Sequence, residues 1–467
     1  VSGVAEAVRS AGGRAGARVA VLMHTSAPLV AALHAVPRAG CVLVPLNARL
    51  TAVEVGAALS ALGVTLVVVG QETAALARAA LAGSGLDVPV LEVALPSGPE
   101  GAPGAVGADA AHGAAATGAA FPAEEPGGAS EWAVLWTSGT TGQPRGVALT
   151  RGNFAASADA SRARLGLGPD DRWLLALSAA HIGGLALVLR AAFLGSTLVT
   201  RGAFSPAGFD RLIDAGRVTH VSLVPTMLLR AVEQRAGRPP PPSLRCVLVG
   251  GARTPPELVE RALAAGFPLA LTYGMTEACS QIATAPPELV RSDPRTVGAP
   301  MPGVELRIDP AGEILVRGAV VASTYVGTSE PLTDGEGWLH TGDLGQLDAQ
   351  GHLRITGRRT DRILTGGMNV DPAEVEDVLR QHECVEDVAV VGIPDAEWGE
   401  RVCAAVVAIG GGEPSAESVE LLARERLTGA KIPRRIVFVE ALPRNENGKV
   451  DRAAVRGLIQ AAGEPHP

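Results

Sequence analysis

The sequence predicts an α/β protein. A large N-terminal domain is built from two α/β subdomains plus a small β subdomain, and a small α+β C-terminal domain follows. Three observations carry this. From Val19 to about Ala285, short apolar runs alternate with amphipathic stretches, as in parallel sheets flanked by helices. From Gly298 the pattern changes to short strands and turns. After Arg359 a new helix start and a new set of strands appear, in a segment of about 100 residues that suits an independent unit. At 467 residues the chain is also too long for one compact core. Residues 1–359 and 360–467 are the expected domains.

In order, residues 19–23 form an apolar run, Ala27 to Ala39 a helix and Cys41 to Pro45 a strand. Thr51 caps a helix from Ala52 to Leu62, and Val64 to Val69 is a buried strand. Pro96 to Glu131 is rich in Ala, Gly and Pro without a period, and reads as a long surface connection. Trp132 to Trp136 is a strand. Asn153 is expected to cap the next helix, with Phe154, Ala158 and Leu165 on one side. Strands follow at Leu174 to Leu177, Thr197 to Thr200, His220 to Leu223 and Cys246 to Val249, with helices at Phe209 to Ala215 and Pro256 to Ala265. Gly298 to Val316 is the β subdomain. In the last domain Asp371, Pro372 and Glu374 supply an N-cap, an N1 proline and a capping-box acid. Val375, Val378 and Leu379 form that helix's apolar face. Val388 to Val391 and Val402 to Val407 are strands, and Ser415 opens a helix carrying Val419, Leu422, Ala423 and Leu427 in register.

Composition excludes several classes. Net charge is -8 and aromatics are 3%, against a nucleic-acid surface. No apolar run spans a membrane and no signal peptide opens the chain. The five cysteines are scattered without a C-x-x-C pair, which suits thiols in a reducing cytoplasm rather than a zinc or dithiol site. The sequence opens at Val1 inside a helix-like pattern, and a native N-terminus that is longer or processed is expected from it.

The stretch that carries most chemistry is Trp136 to Gly146, W-T-S-G-T-T-G-Q-P-R-G. Gly139, Gly142 and Gly146 permit tight turns. Thr137, Ser138, Thr140 and Thr141 supply hydroxyls, and Arg145 a fixed charge. Such a loop wraps a polyphosphate, although it is not the G-x-x-x-x-G-K-[ST] loop. Tyr273 to Glu277, Y-G-M-T-E, follows an apolar segment, at the kind of strand end where α/β proteins place ligand groups. Glu277 offers an oxygen ligand to Mg²⁺, Thr276 a donor to phosphate, and Tyr273 with Gly274 a flat face for a ring. Taken alone, the same five residues are a strand-end turn with a solvated glutamate. Gly250, Gly251 and Ala252 carry no bulk and let backbone lie against an adenine, or simply turn the chain. Asp343 in W-L-H-T-G-D suits ribose hydroxyls and Arg358 a ribose or phosphate, although each alone reads as a turn former or a surface charge. Lys449 stands in the loop P-R-N-E-N-G-K.

Together these motifs resemble the adenylate-forming superfamily of acyl- and aryl-CoA ligases, luciferases and peptide-synthetase adenylation domains. The resemblance runs from about Val19 to Lys449 and includes the block G-R-R-T-D-R-I-L-T-G-G-M-N-V-D-P-A-E-V-E. Y-G-M-T-E-A-C-S-Q-I, with His181 in H-I-G-G-L, is most similar to the o-succinylbenzoate–CoA ligase subfamily of menaquinone biosynthesis. Two positions depart from the pattern: Arg145 stands where relatives often carry Lys, and Thr360 where a hinge Asp is common.

The resemblance implies a carboxylate activated by ATP to an acyl-adenylate and then transferred to CoA, with Mg²⁺ as cofactor. Lys449 would bridge carboxylate and phosphate, and Glu277 would hold Mg²⁺. The mobile C-terminal domain would then rotate to bring Gly366 and Gly367 beside the pantetheine arm. Arg190 is a candidate for the second carboxylate of o-succinylbenzoate, with His181, Ser280 and Gln281 as further substrate contacts; a helix-end arginine is the plainer reading. Expected partners are a small carboxylate, ATP and CoA, and a homodimer is an expected assembly. The alternatives are another acyl- or aryl-CoA ligase, an adenylation enzyme that loads a carrier protein, and a catalytically silent nucleotide-binding module.

Overall fold

The computed structural model describes residues 1–93, 104–106, 131–137, 145–328, 330–366, 368–395, 398–410, 415–427, 429–445 and 448–462. The chain divides into two compact units. The first comprises Val1–Arg307, Leu315–His340 and Ala349–Leu353, and the second Ile308–Ile314, Thr341–Asp348 and Arg354–Pro467.

Two seven-stranded sheets build the larger unit. One has the order Thr324–Tyr325, Arg145–Thr150, Glu131–Thr137, Val42–Leu46, Arg18–Leu22, Leu66–Val69, Val90–Glu92. Its strands from 131–137 to 90–92 run parallel, and 145–150 and 324–325 are added antiparallel at one edge. The central strands are buried on both faces, which is why they read as unbroken Val and Leu runs rather than as alternation. Ala20, Leu22, Val44, Val67, Val69 and Val134 pack with Val55 and Leu59 of the helix Ala52–Ala61 and with its C-cap residue Leu62. That helix starts as expected: Thr51 Oγ1 accepts from the Glu54 N–H at 3.3 Å, and Glu54 Oε2 accepts from the Thr51 N–H at 2.7 Å.

The second sheet has the order Ser280–Ala285, Leu269–Met275, Cys246–Val249, His220–Leu223, Arg172–Leu174, Thr197–Thr200, Gly104–Val106. Its core gathers Val221, Leu223, Val247, Val249, Leu269 and Leu271 with Phe209, Phe267 and Leu228. The strand expected at Leu174 to Leu177 lies earlier, at Arg172–Leu174, where Thr219 Oγ1 and the carbonyl of Arg172 hold it in place. Most of the connection expected at Pro96 to Glu131 lies outside the described residues.

One capping expectation is corrected. The helix Arg151–Leu165 is capped by Thr150, whose Oγ1 accepts from the Asn153 N–H at 3.1 Å. Asn153 is the third helical residue. Its Oδ1 returns to the Thr150 N–H at 2.8 Å, and its Nδ2 donates to the carbonyls of Ala319 and Val321 at 2.8 and 3.1 Å. The cap lies three residues before the expected one because Thr and Asn are both good caps and both stand at this helix start.

A four-stranded sheet follows where the sequence changes character, in the order Val304–Ile308, Glu313–Gly318, Leu339–Leu347, Leu353–Arg358. In the smaller unit, Val385–Asp395 and Gly399–Ala408 form a long antiparallel pair extended by Arg435–Phe438 and by the hairpin Ile363–Thr365 with Met368–Val370. Val375 and Leu379 of the helix Pro372–Leu379 pack with Val419 and Ala423 of the helix Ala416–Arg426 on one face of this sheet. Asp371 caps the first helix through the Ala373 N–H at 2.9 Å. Glu374 is not the capping-box acid; its carboxylate instead accepts from Lys431 Nζ at 2.6 Å. Among the described residues no helix is long and apolar enough to cross a membrane.

Candidate active site

In the larger unit the site is built at the ends of the two seven-stranded sheets. Thr137 closes the strand Glu131–Thr137 and Arg145 opens the next; Thr137 Oγ1 donates to the Arg145 carbonyl at 3.2 Å. Ser138, Gly139, Thr140, Thr141 and Gly142 lie outside the described residues. A Cβ on Gly146 would come within 2.5 Å of Leu62 Cδ2 and 3.0 Å of Val134 Cγ1 and Val326 Cγ2, so these neighbours would have to shift.

From the other sheet, Tyr273 and Gly274 end the strand Leu269–Met275, and Thr276 and Glu277 form a short 3-10 turn. The chain then reverses into Ser280–Ala285 with Cys279 at φ 46° and Ser280 at φ 95°, a sharp return that non-glycine residues adopt only at some cost. Pairing shifts register between Tyr273 and Gly274, and a Cβ on Gly274 would land 1.5 Å from the Ser280 carbonyl oxygen. Gly250, Gly251 and Ala252 follow the strand Cys246–Val249. Gly250 is required by its neighbour, since a Cβ would meet Thr272 Cγ2 at 2.6 Å; Gly251 sits at φ 81°.

Glu277 is engaged by a residue that the motif reading missed. Tyr325 Oη donates to Glu277 Oε1 at 3.1 Å. The Arg145 guanidinium lies 5.2 Å from the centroid of the same ring, within cation–π range. Burial first, then the Glu277 carboxylate, push the Tyr325 phenol up to about 12, so it stays a donor at neutral pH. The chain has only two tyrosines, and both lie here. Scarcity was the available signal, but no spacing links Tyr325 to Glu277.

His181 precedes the helix Ile182–Leu194 as its N-cap residue, and its Nε2 is buried. Arg190, on the same helix, is 4% exposed. Its Nη2 donates to Gln281 Oε1 at 3.0 Å, its guanidinium lies 5.9 Å from the Trp173 ring, and its Nε has no partner. Burial pulls its pKa down to about 10. Gln281 does not present free groups to a ligand. Its Oε1 accepts from Arg190 and from Ser161 Oγ at 2.6 Å, and its Nε2 donates to Thr284 Oγ1 at 2.8 Å and Thr272 Oγ1 at 3.4 Å. All four hydrogen-bonding positions of the amide are thus used inside the protein. The structure therefore brings Arg190 and Gln281 together, as a cation and its polar support.

In the smaller unit Asp343 and Arg358 are neighbours, with Arg358 Nε 3.4 Å from Asp343 Oδ1. Beside them lies Glu313, 1% exposed, which accepts from the Gly342 N–H at 2.8 Å and from Arg359 Nη1 at 3.0 Å. That ionic support for the turn was not read from sequence. Gly366 sits at φ 55°, donates its N–H to the Trp398 carbonyl at 2.8 Å, and leaves no room for a Cβ beside the Trp398 ring, 2.9 Å away. Gly367 lies outside the described residues. Lys449 is exposed on a tight loop whose backbone is closed by Asn445: its N–H donates to Asn445 Oδ1 at 3.0 Å and its carbonyl accepts from the Asn445 N–H at 2.8 Å. Arg444 Nη1 ties the loop through the Gly448 carbonyl at 2.7 Å. Asp361, beside the expected hinge Thr360, accepts from Arg452 Nε at 3.1 Å.

Comparison with known proteins places this geometry. Residues 1–326 match the AMP-binding enzyme family and residues 374–449 the AMP-binding enzyme C-terminal domain. A 2-succinylbenzoate–CoA ligase of Bacillus cereus (strain Q1) is 34% identical over 461 residues, covering 96% of this chain and 90% of that protein. The o-succinylbenzoate CoA synthetase (MenE) of Bacillus subtilis, solved with the acyl-adenylate intermediate OSB-AMP, superposes with a TM-score of 0.83 at 32% identity. That match covers 100% of this chain and 92% of that one. The same synthetase has been solved with ATP and magnesium ion, with a TM-score of 0.82 at 32% identity over 98% of this chain and 92% of that one. ATP-bound MatB from Rhodopseudomonas palustris superposes with a TM-score of 0.85 at 28% identity, covering 97% and 91%. On both family matches and on a relative that is alike over nearly its full length, the chain belongs to the AMP-binding enzyme family.

Proposed function

We propose that the chain is an AMP-forming acid–thiol ligase that converts o-succinylbenzoate, ATP and CoA to o-succinylbenzoyl-CoA, AMP and diphosphate, as a step of menaquinone biosynthesis. The observation that carries this is the end-to-end likeness to 2-succinylbenzoate–CoA ligases and to a synthetase holding OSB-AMP. Arg190 supports the choice of acid. A buried guanidinium whose partners among the described residues are an amide and a ring is the complement that a second, non-reacting carboxylate needs.

In the first half-reaction a carboxylate oxygen attacks the α-phosphorus and diphosphate leaves. That oxygen is ionised near neutrality, so positioning and charge neutralisation replace a general base. We assign Lys449 to the oxygens exchanged in this step. The Thr137–Gly142 loop, Arg145 and Thr276 are assigned to phosphate, Gly250 to Ala252 with Tyr273 and Gly274 to adenine, and Asp343 with Arg358 to ribose. Glu277 fits Mg²⁺, as a single oxygen donor joining the phosphates; the cation, when bound, neutralises phosphate charge. In the second half-reaction the CoA sulfur attacks the same carbonyl after its thiol proton is lost, and AMP leaves. Gly366 and Gly367 are assigned to the pantetheine path. His181, Arg190 and Ser280 face the acid in this reading, and Gln281 acts through Arg190.

We place the domain boundary at residues 359 and 360, with the pivot at Thr360. A cytoplasmic setting belongs to the same proposal and rests on cysteines that are all unpaired thiols. So does a homodimer, which sedimentation velocity measures. The catalytic assignment is tested by ATP–pyrophosphate exchange with Lys449→Ala. Loss of a transition-state charge contact lowers exchange by at least about 100-fold, while transfer from preformed acyl-adenylate to CoA persists. Equal exchange rates overturn the assignment, and thioester formation with fatty, malonic or benzoic acids but not o-succinylbenzoate overturns the choice of acid.

A further inference from the structure

Tyr325 touches two groups of opposite charge with two different parts of one side chain. The face of its ring lies under the Arg145 guanidinium, 5.2 Å from the centroid, and its hydroxyl donates to Glu277 Oε1 at 3.1 Å. The backbone around it is fastened to both neighbours. Tyr325 pairs antiparallel with Val147, the Val326 N–H donates to the Gly146 carbonyl at 2.8 Å, and the Ala322 N–H donates to the Glu277 carbonyl at 2.8 Å. Asn153 Nδ2 holds the preceding residues through the carbonyls of Ala319 and Val321. The tyrosine is therefore not a side chain that happens to reach a carboxylate. It is set on a strand whose position is fixed by the two backbones that carry the two charges.

A guanidinium and a carboxylate brought this close tend to pair directly in forked geometry. A direct pair would neutralise both and aim neither at a ligand. Tyr325 is the neighbour they share: its ring offers the cation a π face, and its hydroxyl donates to the anion while also meeting Arg145, contacts that leave both charges in place. One carboxylate oxygen is thereby oriented.

We propose that Tyr325 is a positioning residue for the metal–nucleotide complex, a spacer that keeps Arg145 off Glu277 and fixes the rotamer in which Glu277 receives Mg²⁺ while Arg145 faces phosphate. This rests on the reading of Glu277 as the Mg²⁺ residue. Partners that orient a metal-binding carboxylate are worth about 10- to 100-fold in metal affinity.

The test is calorimetric titration of ATP into the full chain over a magnesium series, with no acid or CoA present. It compares the wild-type protein, Tyr325→Phe, Tyr325→Leu and Glu277→Gln. Tyr325→Phe keeps the ring under Arg145 and removes only the hydroxyl. It raises the magnesium concentration for half-maximal ATP tightening about tenfold and changes magnesium-free ATP affinity less than Tyr325→Leu does. Tyr325→Leu also removes the aromatic spacer, so Arg145 closes on Glu277 and magnesium-free ATP affinity falls as well. If Glu277→Gln abolishes the magnesium response but Tyr325→Phe responds like wild type, or weakens ATP equally with and without magnesium, the spacer role is overturned. If Glu277→Gln keeps the full response, the assignment of Glu277 itself fails, and the spacer role with it.

Discussion

Replacing Gln281 by leucine removes the only hydrogen bond that the buried Arg190 guanidinium makes among the described residues, while leaving the volume nearly filled. The loss is worked from the partners. Arg190 is 4% exposed, its Nε is already without a partner, and its Nη2 is held by Gln281 Oε1 at 3.0 Å. Breaking a hydrogen bond to a charged group costs about 1.5–3 kcal/mol, and Ser161 Oγ loses its 2.6 Å acceptor as well. The expected destabilisation is about 3–5 kcal/mol, as for removing one partner from a buried charge. Arg190→Met removes the charge that needs support. Gln281 then keeps Ser161, Thr284 and Thr272, so that variant costs about 1 kcal/mol or less. The double variant should resemble Arg190→Met alone, giving a coupling as large as the Gln281→Leu loss itself, about 3–5 kcal/mol, in a double-mutant cycle. Urea unfolding of the four proteins measures it. Additive losses, with coupling below about 0.5 kcal/mol, refute the claim that Gln281 exists to support Arg190. In the same proteins, Arg190→Met should raise KM for o-succinylbenzoate with a smaller effect on KM for ATP; an unchanged KM removes Arg190 from the acid site.

Two further outcomes follow from the structure. Gly274→Ala puts a Cβ where the Ser280 carbonyl oxygen lies 1.5 Å away, so the strand pair must open two residues before Thr276. A displacement near 1 Å at reacting groups costs about 100-fold, and pyrophosphate exchange within about threefold of wild type would contradict it. Burial pulls the His220 imidazole down to about 4, while its unfolded value is near 6.5; His34 is likewise pulled to about 4. Between those values the unfolded chain binds protons that the native chain does not. Stability is therefore full above about pH 6.5 and is lost as pH falls toward 4, by up to roughly 3 kcal/mol per histidine. His220→Phe keeps the stack on Trp173, 4.7 Å away, and should flatten part of that slope in urea midpoints measured against pH; an unchanged slope counts against it.

Sequence alone determined the elements whose cause is local. Thr51 with Glu54, Asp371 with Pro372 and Ser415 are helix starts because their side chains bond to amides two or three residues on. The doubly buried strands were legible because parallel sheets demand unbroken apolar runs. The phosphate, Y-G-M-T-E and lysine motifs stand out in the sequence as short runs, each with a chemistry it is proposed to carry. Tertiary structure decided what depends on residues far apart in the chain. Tyr325 reaches Glu277 across 48 positions and Gln281 supports Arg190 across 91. Glu374 left its own helix for Lys431, 57 residues away. No periodicity encodes such pairings, because they exist only after the sheets have stacked and the desolvated charges have had to find partners.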